Sequence, residues 1–277
     1  MKIIKNKADL EVFLDKKRKK GKKIGLIPTM GSIHQGHLSL INSCKEQDYF
    51  SLVTIYINPT QFNELNDYEQ YPRDSENDQQ YLRNIGTNLL FYPSTKDIYP
   101  KGVKSIKTIF EYRNILCDIY RPEHFDGVTT VVAALFDIIR PDHVFFGEKD
   151  FQQLKIVQKM IENQYISISM HFCPSIRMTN GMSYSSRYKN FSITEDKLFN
   201  DVAKLLIKYI AVIKKNFDLD IIKDLSKQIL NLGIKKIDYI EIKNEINLSS
   251  VFKQNEARLF VAFYIGRTRI IDNFVLH

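Results

Sequence analysis

Residues 24–37 read IGLIPTMGSIHQGH, and the predicted fold rests on this stretch. The apolar run at residues 24–27 predicts a buried strand, which Pro28 ends. Gly31 permits a tight or left-handed backbone, and a helix is expected to begin near His34 and His37. The stretch therefore opens an alternation of strands and helices.

The alternation continues to about residue 175. Short apolar runs predict further strands at residues 52–57, 89–92, 144–146 and 166–170, and amphipathic segments predict helices at residues 38–44, 74–84, 129–139 and 151–163. This order is typical of an α/β fold, a Rossmann-like parallel sheet with helices on both faces. Ligands of such sheets bind beyond the carboxyl ends of the strands, so polar residues that follow strands are the first candidates for a site.

The pattern changes beyond residue 176. Helices are predicted at residues 194–214, with Thr194 as N-cap, and at residues 218–230, followed by strands at residues 237–242, 258–265 and 269–272. We therefore expect two domains, a nucleotide- and substrate-binding domain at residues 1–175 and a smaller α+β lid domain at residues 176–277. The junction near residue 176 is expected to be a hinge.

The net charge of +8 is concentrated at the start of the chain. Residues 1–23 hold ten basic and three acidic side chains. No aromatic residues interleave the lysines at residues 16–23, so we interpret them as a solvated helix end that interacts with the helix dipole, not as a nucleic-acid surface. RNA or DNA binding there remains the alternative.

Targeting and cysteine patterns indicate a soluble cytoplasmic protein. No apolar run is long enough to span a membrane, and residues 1–7 lack the features of a signal peptide. Cys44, Cys117 and Cys173 are far apart and never form a Cys-x-x-Cys pair. We expect reduced core thiols with no disulfide framework, zinc site or redox role.

The turn after the first strand is the first candidate site. A helix start favours anions, and His34 and His37, three residues apart, share one face of its first turn. Their imidazoles could donate hydrogen bonds to phosphate oxygens, while Gly36 would let a nucleotide approach the backbone. The histidines could instead only cap the helix. A zinc site is a further interpretation, but no third ligand follows at a suitable spacing.

Three more polar segments are candidates. Asn58 and Gln61 follow a strand with amides suited to a small polar substrate, or form an Asx-type turn. After Gly147 come charges that could bind phosphates, ribose or magnesium, or pair with each other, with Gln153 one turn into the helix. A glycine-led loop with hydroxyls and an arginine at residues 181–187 could wrap a triphosphate or be a polar linker.

Together the four segments resemble the pantoate–β-alanine ligase family of the nucleotidyltransferase superfamily. Residues 28–37 are similar to the family's HIGH-type motif, residues 58–62 to its substrate loop, and residues 147–153 to its Gly-Glu-Lys-Asp segment. Residues 185–187 stand where the superfamily's KMSKS-like loop falls. Residues 121–128, 258–259 and 268–273 also resemble family segments.

The resemblance implies an ATP-dependent ligase that joins pantoate to β-alanine through pantoyl adenylate, releasing pyrophosphate and AMP. It implies His37, His34 and Lys149 as catalytic residues, and Gln61, Gln153 and Asn58 as pantoate or β-alanine ligands. The implied ATP-binding residues are Met30, Gly31, Ser32, Ile33, His34, Gln35, Gly36, His37, Gly147, Glu148, Lys149, Asp150, Ile176, Tyr184, Ser185, Ser186 and Arg187. It further implies Mg²⁺, whose ligands stay open, and a homodimer.

Two other functions are compatible with parts of the pattern. One is a nucleotidyltransferase of the same fold that adenylates a different small acid or a phosphate. The other is a non-catalytic nucleotide- or RNA-binding protein. The sequence also departs from the usual family pattern at Met178, Asn180, Met182, Ser183, Tyr184 and Tyr188.

Overall fold

The computed structural model describes residues 1–106, 108–218 and 220–277, so Leu219 of the predicted helix at residues 218–230 lies outside the described residues. The chain forms two compact units. The first unit comprises Met1–Arg113, Arg121–Glu148 and Gln153–Pro174, and the second comprises Asn114–Tyr120, Lys149–Gln152 and Ser175–His277. A functional domain boundary at residue 175 stays a prediction.

Six parallel strands form the sheet of the first unit, which confirms the predicted fold class. The strands are β1 (Lys2–Ile4), β2 (Ile24–Thr29), β3 (Phe50–Ile55), β4 (Leu89–Phe91), β5 (His143–Gly147) and β6 (Ser169–Cys173). Their order across the sheet is β1-β4-β3-β2-β5-β6. Strand β1 was not expected from the sequence because it is only three residues long.

The predicted strand at residues 166–170 is wrong in its bounds, since β6 spans Ser169–Cys173. Ile166 is 90% exposed, and Ile168 N–H donates to the carbonyl of Tyr165 in a turn. Pairing with β5 begins only at Ser169, opposite His143, and continues to Cys173, opposite Gly147. The apolar residues before Ser169 therefore belong to the turn that precedes the strand.

The four helices predicted at residues 38–44, 74–84, 129–139 and 151–163 are present, and two further short helices of the first unit, at residues 65–69 and 95–98, were not predicted. The helices of this unit are α1 (Lys7–Arg18), α2 (Gln35–Glu46), α3 (Leu65–Glu69), α4 (Ser75–Asn84), α5 (Thr95–Ile98), α7 (His124–Ile139) and α8 (Phe151–Gln164), whose first two residues belong to the second unit. Helix α7 begins five residues before the expected start at residue 129. Leu40 and Ile41 of α2 and Leu82 of α4 share one buried cluster with Ile27 and Val53 of the sheet.

The second unit is built around an antiparallel sheet of β7 (Ile237–Asn244), β8 (Ala257–Ile265) and β9 (Thr268–Val275). Its helices are α6 (Cys117–Tyr120), α9 (Ile193–Lys215) and α10 (Ile221–Asn231). Apolar residues of α9, α10 and all three strands form one core. Ser192, not Thr194, is the N-cap of α9, because its hydroxyl accepts from Glu195 N–H in a capping box. Among the described residues, no helix is long and apolar enough to cross a membrane.

A histidine pair joins β5 to β6. His143 Nδ1 lies 3.1 Å from His171 Nε2, so one ring donates and the other accepts. Tyr49 stacks on His143 with ring centroids 3.8 Å apart, and Phe145 stacks on His171. Burial and then His171 lower the pKa of His143 below 6.5, and burial lowers the pKa of His171.

These pKa shifts make the stability of the chain acid-sensitive. Unfolded histidines have pKa values near 6.5, so below that pH the unfolded chain binds more protons than the folded chain, until the lower folded pKa values are passed. We expect the free energy of unfolding to fall between about pH 7.5 and 5.5, and His171→Gln to reduce that fall. Chemical denaturation at both pH values, with His277→Gln as control, checks this. An unchanged pH dependence in His171→Gln contradicts it.

Candidate active site

Three of the candidate loops begin at one edge of the sheet. They follow β2, β3 and β5, which are neighbours in the order β3-β2-β5 and run parallel. The carboxyl ends of these strands therefore lie at the same edge of the sheet. The three loops that leave this edge contain residues 30–34, Asn58 and Glu148. This is the edge at which sheets of this kind bind ligands.

His34 and His37 stack on each other at the start of α2. Their ring centroids are 4.0 Å apart. His34 is the N-cap, with its Nδ1 accepting from Gly36 N–H at 3.2 Å, and His37 Nδ1 accepts from His34 N–H at 3.3 Å. Because each Nδ1 accepts, the neutral rings carry their protons on Nε2, which is then a donor. The capping role and a phosphate-binding role are thus compatible, since they use different nitrogens.

The turn before His34 is held by a buried carboxylate that the sequence reasoning missed. Asp78 of α4 is 3% exposed, and its two oxygens accept from Ser32 N–H at 2.8 Å and Ile33 N–H at 2.7 Å. Gly31 and Ser32 have positive φ angles of 81° and 51°. A Cβ on Gly31 would lie 2.9 Å from Asp78 Oδ2, so both the backbone angle and the close contact favour glycine.

A helix start favours anions through its free backbone N–H groups, but those of Ser32 and Ile33 are not free here, because Asp78 accepts from both. Gly31 N–H is also bonded, to Thr29 Oγ1 at 3.1 Å. The spacing of Asp78 and Leu82, four residues apart on the buried face of α4, could have revealed Asp78. A charged residue on the same helix face as a core leucine interrupts the apolar pattern of that face, and such an interruption indicates a buried polar contact.

Gln61 is oriented from both ends of its amide. Its Nε2 donates to Met30 Sδ at 3.0 Å, and its Oε1 accepts from Asn58 Nδ2 at 3.1 Å. Gln61 ends the short 3-10 turn Pro59–Gln61 that follows the end of β3. The Gln61 amide therefore reaches the first residue of the turn that leads to His34 and His37.

Asn58 is fully buried and holds the 3-10 turn Pro59–Gln61 in place. Its Nδ2 also donates to the carbonyl of Gly127 at 3.0 Å, and its Oδ1 accepts from Thr60 Oγ1 at 3.2 Å and from the hydroxyl of Tyr99. Burial raises the pKa of Tyr99 to about 12, so its hydroxyl keeps the proton that it donates. These contacts place Asn58 behind Gln61 as a support, and its direct contact with a substrate stays a prediction.

In the second unit, Lys149 and Asp150 form an ion pair of 3.4 Å in a 3-10 turn. The backbone of Lys149 is fixed, because its carbonyl accepts from Asn273 Nδ2 at 2.9 Å and Asn273 Oδ1 accepts from Arg258 at 2.7 Å. The Lys149 side chain is 21% exposed and that of Asp150 45%. A half-exposed ion pair of this kind can exchange partners when a phosphate arrives.

A second buried carboxylate organises the glycine-led loop. Asp272 of β9 is buried and accepts from Ser183 N–H at 2.8 Å, from Ser183 Oγ at 2.7 Å and from Arg177 NH1 at 3.2 Å. The loop closes through a hydrogen bond from Tyr184 N–H to the carbonyl of Ile176. Ser185 then caps a 3-10 turn by accepting from Arg187 N–H at 3.3 Å. Asp272 thus holds the antiparallel bridge between Arg177 and Ser183, and residues 184–187 follow directly after this bridge.

Departures from the usual family pattern have partners within the second unit. Asn180 accepts from Met182 N–H and donates to Asn200. Tyr188 is partly buried, stacks on Phe191 and contacts Phe199, and desolvation raises its pKa. The substituted residues are therefore integrated into the loop and its core.

The remaining candidates occupy the expected elements. Gly147 ends β5, and a Cβ there would meet only Leu40, at 3.9 Å. Glu148 begins the following 3-10 turn, and Gln153 lies half-buried in the first turn of α8. Among the described residues, no group of three or more His, Cys, Asp or Glu side chains could enclose a metal ion.

A family model described as pantoate-beta-alanine ligase matches residues 2–275. The chain belongs to this family. A pantothenate synthetase of Sulfurihydrogenibium sp. (strain YO3AOP1) is 39% identical over 277 residues, covering 99% of each chain. That of Aquifex aeolicus (strain VF5) is 37% identical over 276 residues, covering 98% of each. The predicted enzyme class, a ligase of this family, is confirmed.

Solved structures of the family share the fold. A pantoate-beta-alanine ligase from Francisella tularensis, complexed with beta-gamma ATP and beta-alanine, has a TM-score of 0.85 at 35% identity and covers 100% of this chain and 98% of its own. Pantothenate synthetase from Thermus thermophilus has a TM-score of 0.90 at 29% identity and covers 100% of both chains. Family membership therefore spans the whole chain.

The stability of this ligase family member should depend on Asp78. Asp78→Asn replaces one accepting oxygen with an NH₂ group, which then faces a backbone N–H. We expect a loss of about 1.5–3 kcal/mol in the free energy of unfolding, the size of one hydrogen bond to a charged group. Urea denaturation measures it, with Glu76→Gln on the exposed side of α4 as control. Equal stabilities of the two variants would refute the role of Asp78.

Proposed function

We propose that the chain condenses pantoate with β-alanine at the expense of ATP, through a pantoyl-adenylate intermediate. The observation that carries the proposal is the contact of the Gln61 amide with Met30, at 3.0 Å. It joins the predicted carboxylic acid site to the turn that carries the histidine pair. An acid held by Gln61 would therefore lie beside a nucleotide phosphate held by His34 and His37.

In the first step, a carboxylate oxygen of pantoate attacks the α-phosphorus of ATP. The bond from the α-phosphorus to the bridging oxygen breaks, and pyrophosphate leaves with that bond's electron pair. Negative charge grows on the phosphate oxygens during this displacement. Donors at Nε2 of His34 and His37, fixed by their Nδ1 contacts, would stabilise it, and stabilisation of this kind is usually the largest single contribution to catalysis.

In the second step, the amine of β-alanine attacks the acyl carbon of the adenylate. The bond between acyl carbon and phosphate oxygen breaks, AMP leaves, and the amine loses a proton as the amide forms. AMP then carries one oxygen that came from pantoate. Gln61 and Gln153 would orient pantoate throughout, with Asn58 holding Gln61 in place. The β-alanine that is named with the Francisella tularensis ligase supports this choice of amine.

The residues of the second unit would bind ATP. Lys149 would contribute positive charge to the phosphates, and Arg187 could form paired hydrogen bonds with phosphate oxygens. The hydroxyls of Ser185 and Ser186 and the backbone near Ile176 complete the proposed set. The beta-gamma ATP named with the Francisella tularensis ligase supports the nucleotide.

Magnesium would be held mainly by the nucleotide. Mg²⁺ commonly binds through one or two carboxylates together with substrate phosphates and water. Asp150, whose side chain is 45% exposed and forms an ion pair with Lys149, fits such a shared site. The ion would neutralise phosphate charge. A homodimer and a cytoplasmic location, which the family suggests, stay predictions.

Pantoate-dependent exchange of pyrophosphate into ATP tests the proposed function. Because adenylation precedes the entry of β-alanine, we expect exchange with pantoate alone and none without an acid. Exchange with a different acid but not with pantoate would instead select another nucleotidyltransferase activity. Failure with every acid, together with RNA binding by residues 16–23, would favour the non-catalytic alternative.

Single substitutions test the assigned roles. We expect His37→Ala and Lys149→Ala to lower the rate of adenylate formation at least about a hundredfold, the scale of losing one transition-state donor. Rapid-quench measurement of the first turnover gives this rate, and the matched control is Lys159→Ala, which removes a partly exposed lysine paired with Glu162. A near-normal rate in a folded His37→Ala protein would remove His37 from the mechanism.

A further inference from the structure

The main-chain carbonyl of Gln61 is held by Arg121, three residues before α7, and by His124, the first residue of α7. Arg121 NH2 donates to this oxygen at 2.9 Å, and His124 Nδ1 lies 2.7 Å from it. The same two side chains also touch each other, with Arg121 NH1 3.3 Å from His124 Nε2. Three hydrogen bonds therefore join Gln61, Arg121 and His124 in a closed triangle.

The chemistry of the partners determines the protons on His124. A carbonyl oxygen only accepts, so Nδ1 must carry a proton and donate it to Gln61. A guanidinium only donates, so Nε2 must present its lone pair to Arg121. His124 is therefore neutral, in the Nδ1–H tautomer. A second proton on Nε2 would place two donors and two positive charges face to face.

The triangle bears on the orientation of the Gln61 side chain. Two donors on one carbonyl occupy both lone pairs and hold the peptide plane of Gln61. The 3-10 turn also packs tightly against α7 at Gly127. A Cβ at this position would lie only 2.4 Å from the carbonyl oxygen of Thr60, so the two backbones are in close contact. His124 is 8% exposed, which keeps water from replacing its contacts. The Gln61 amide is thereby directed to Met30 and Asn58.

We propose that His124 is a positioning residue for the ligase reaction, acting as the neutral Nδ1–H tautomer that holds Gln61 and orients Arg121. The inference rests on the proposed function, because it takes Gln61 as part of the pantoate site. His124 acts through Gln61 and takes no part in bond breaking. Its loss should therefore raise the KM for pantoate without changing the KM for ATP.

Two substitutions separate the two nitrogens of the ring. His124→Asn places an amide N–H near the position of Nδ1 and keeps the bond to Gln61, whereas His124→Gln places its amide nearer Nε2 and loses that bond. We expect His124→Gln to raise the KM for pantoate about fivefold to tenfold, the scale of one hydrogen bond. His124→Asn should stay within about threefold of wild type, since it loses only the weaker, longer contact.

Steady-state kinetics with both substrates and thermal melting of each variant check this, with Lys159→Ala as control. Equal KM values for pantoate in the two variants would overturn the proposal. So would a loss in His124→Gln that falls equally on the KM for ATP and the melting temperature, because that is the result of a merely structural role.

The tautomer provides a readout that needs no catalysis. Long-range ¹H–¹⁵N spectra of histidine-labelled protein identify the His124 ring as the one missing in His124→Asn. At neutral pH we expect its Nδ1 to carry the proton and its Nε2 to carry none. The opposite tautomer or a doubly protonated ring overturns the inference. Absence of pantoate-dependent exchange in the wild type would instead refute the proposed function, so the two failures are distinguishable.

Discussion

The carboxylate of Asp78 accepts hydrogen bonds from two successive N–H groups of the turn between β2 and α2. Gly31 and Ser32 adopt positive φ angles there, which is unfavourable for a serine. A charged acceptor in a buried site compensates that cost, because hydrogen bonds to a carboxylate are stronger than those between neutral groups. The position of His34 as N-cap, and the stacking of His37 on it, follow from the path of this turn.

The same device recurs in the second unit. Asp272 accepts from the backbone and hydroxyl of Ser183 and from Arg177, and so fixes the loop that precedes residues 184–187. In both units a buried carboxylate holds an irregular segment that carries candidate ligand-binding residues. Loops that must present side chains to a ligand cannot rely on strand or helix hydrogen bonds for their shape. A buried carboxylate can instead accept hydrogen bonds from the backbone N–H groups of such a loop and so fix its shape.

Much of the fold could be predicted from the local pattern of apolar and polar residues. The residues that hold the candidate site loops in place could not be predicted in this way. The apolar runs and amphipathic segments predicted the parallel sheet, because strands such as β2 are buried on both faces and helices such as α9 have a continuous apolar stripe. Residues such as Gln61 and Lys149 were predicted as candidates because they closely follow strands. Asp78, His124 and Arg121 were not assigned roles, since their partners lie 45 to 63 residues away along the chain and no local spacing marks such pairs. The predicted bounds of β6 were wrong because the apolar residues Ile166 and Ile168 of the preceding turn imitate a strand.

In the proposed mechanism, the carboxylate of pantoate is activated by attack on the α-phosphorus of ATP. Transfer of oxygen tests it directly. Pantoate labelled with ¹⁸O in its carboxylate is incubated with the enzyme, ATP and β-alanine, and the products are analysed by mass spectrometry. We predict one ¹⁸O atom in AMP and none in pyrophosphate. The label in orthophosphate, accompanied by ADP, would show activation through an acyl phosphate and contradict the account.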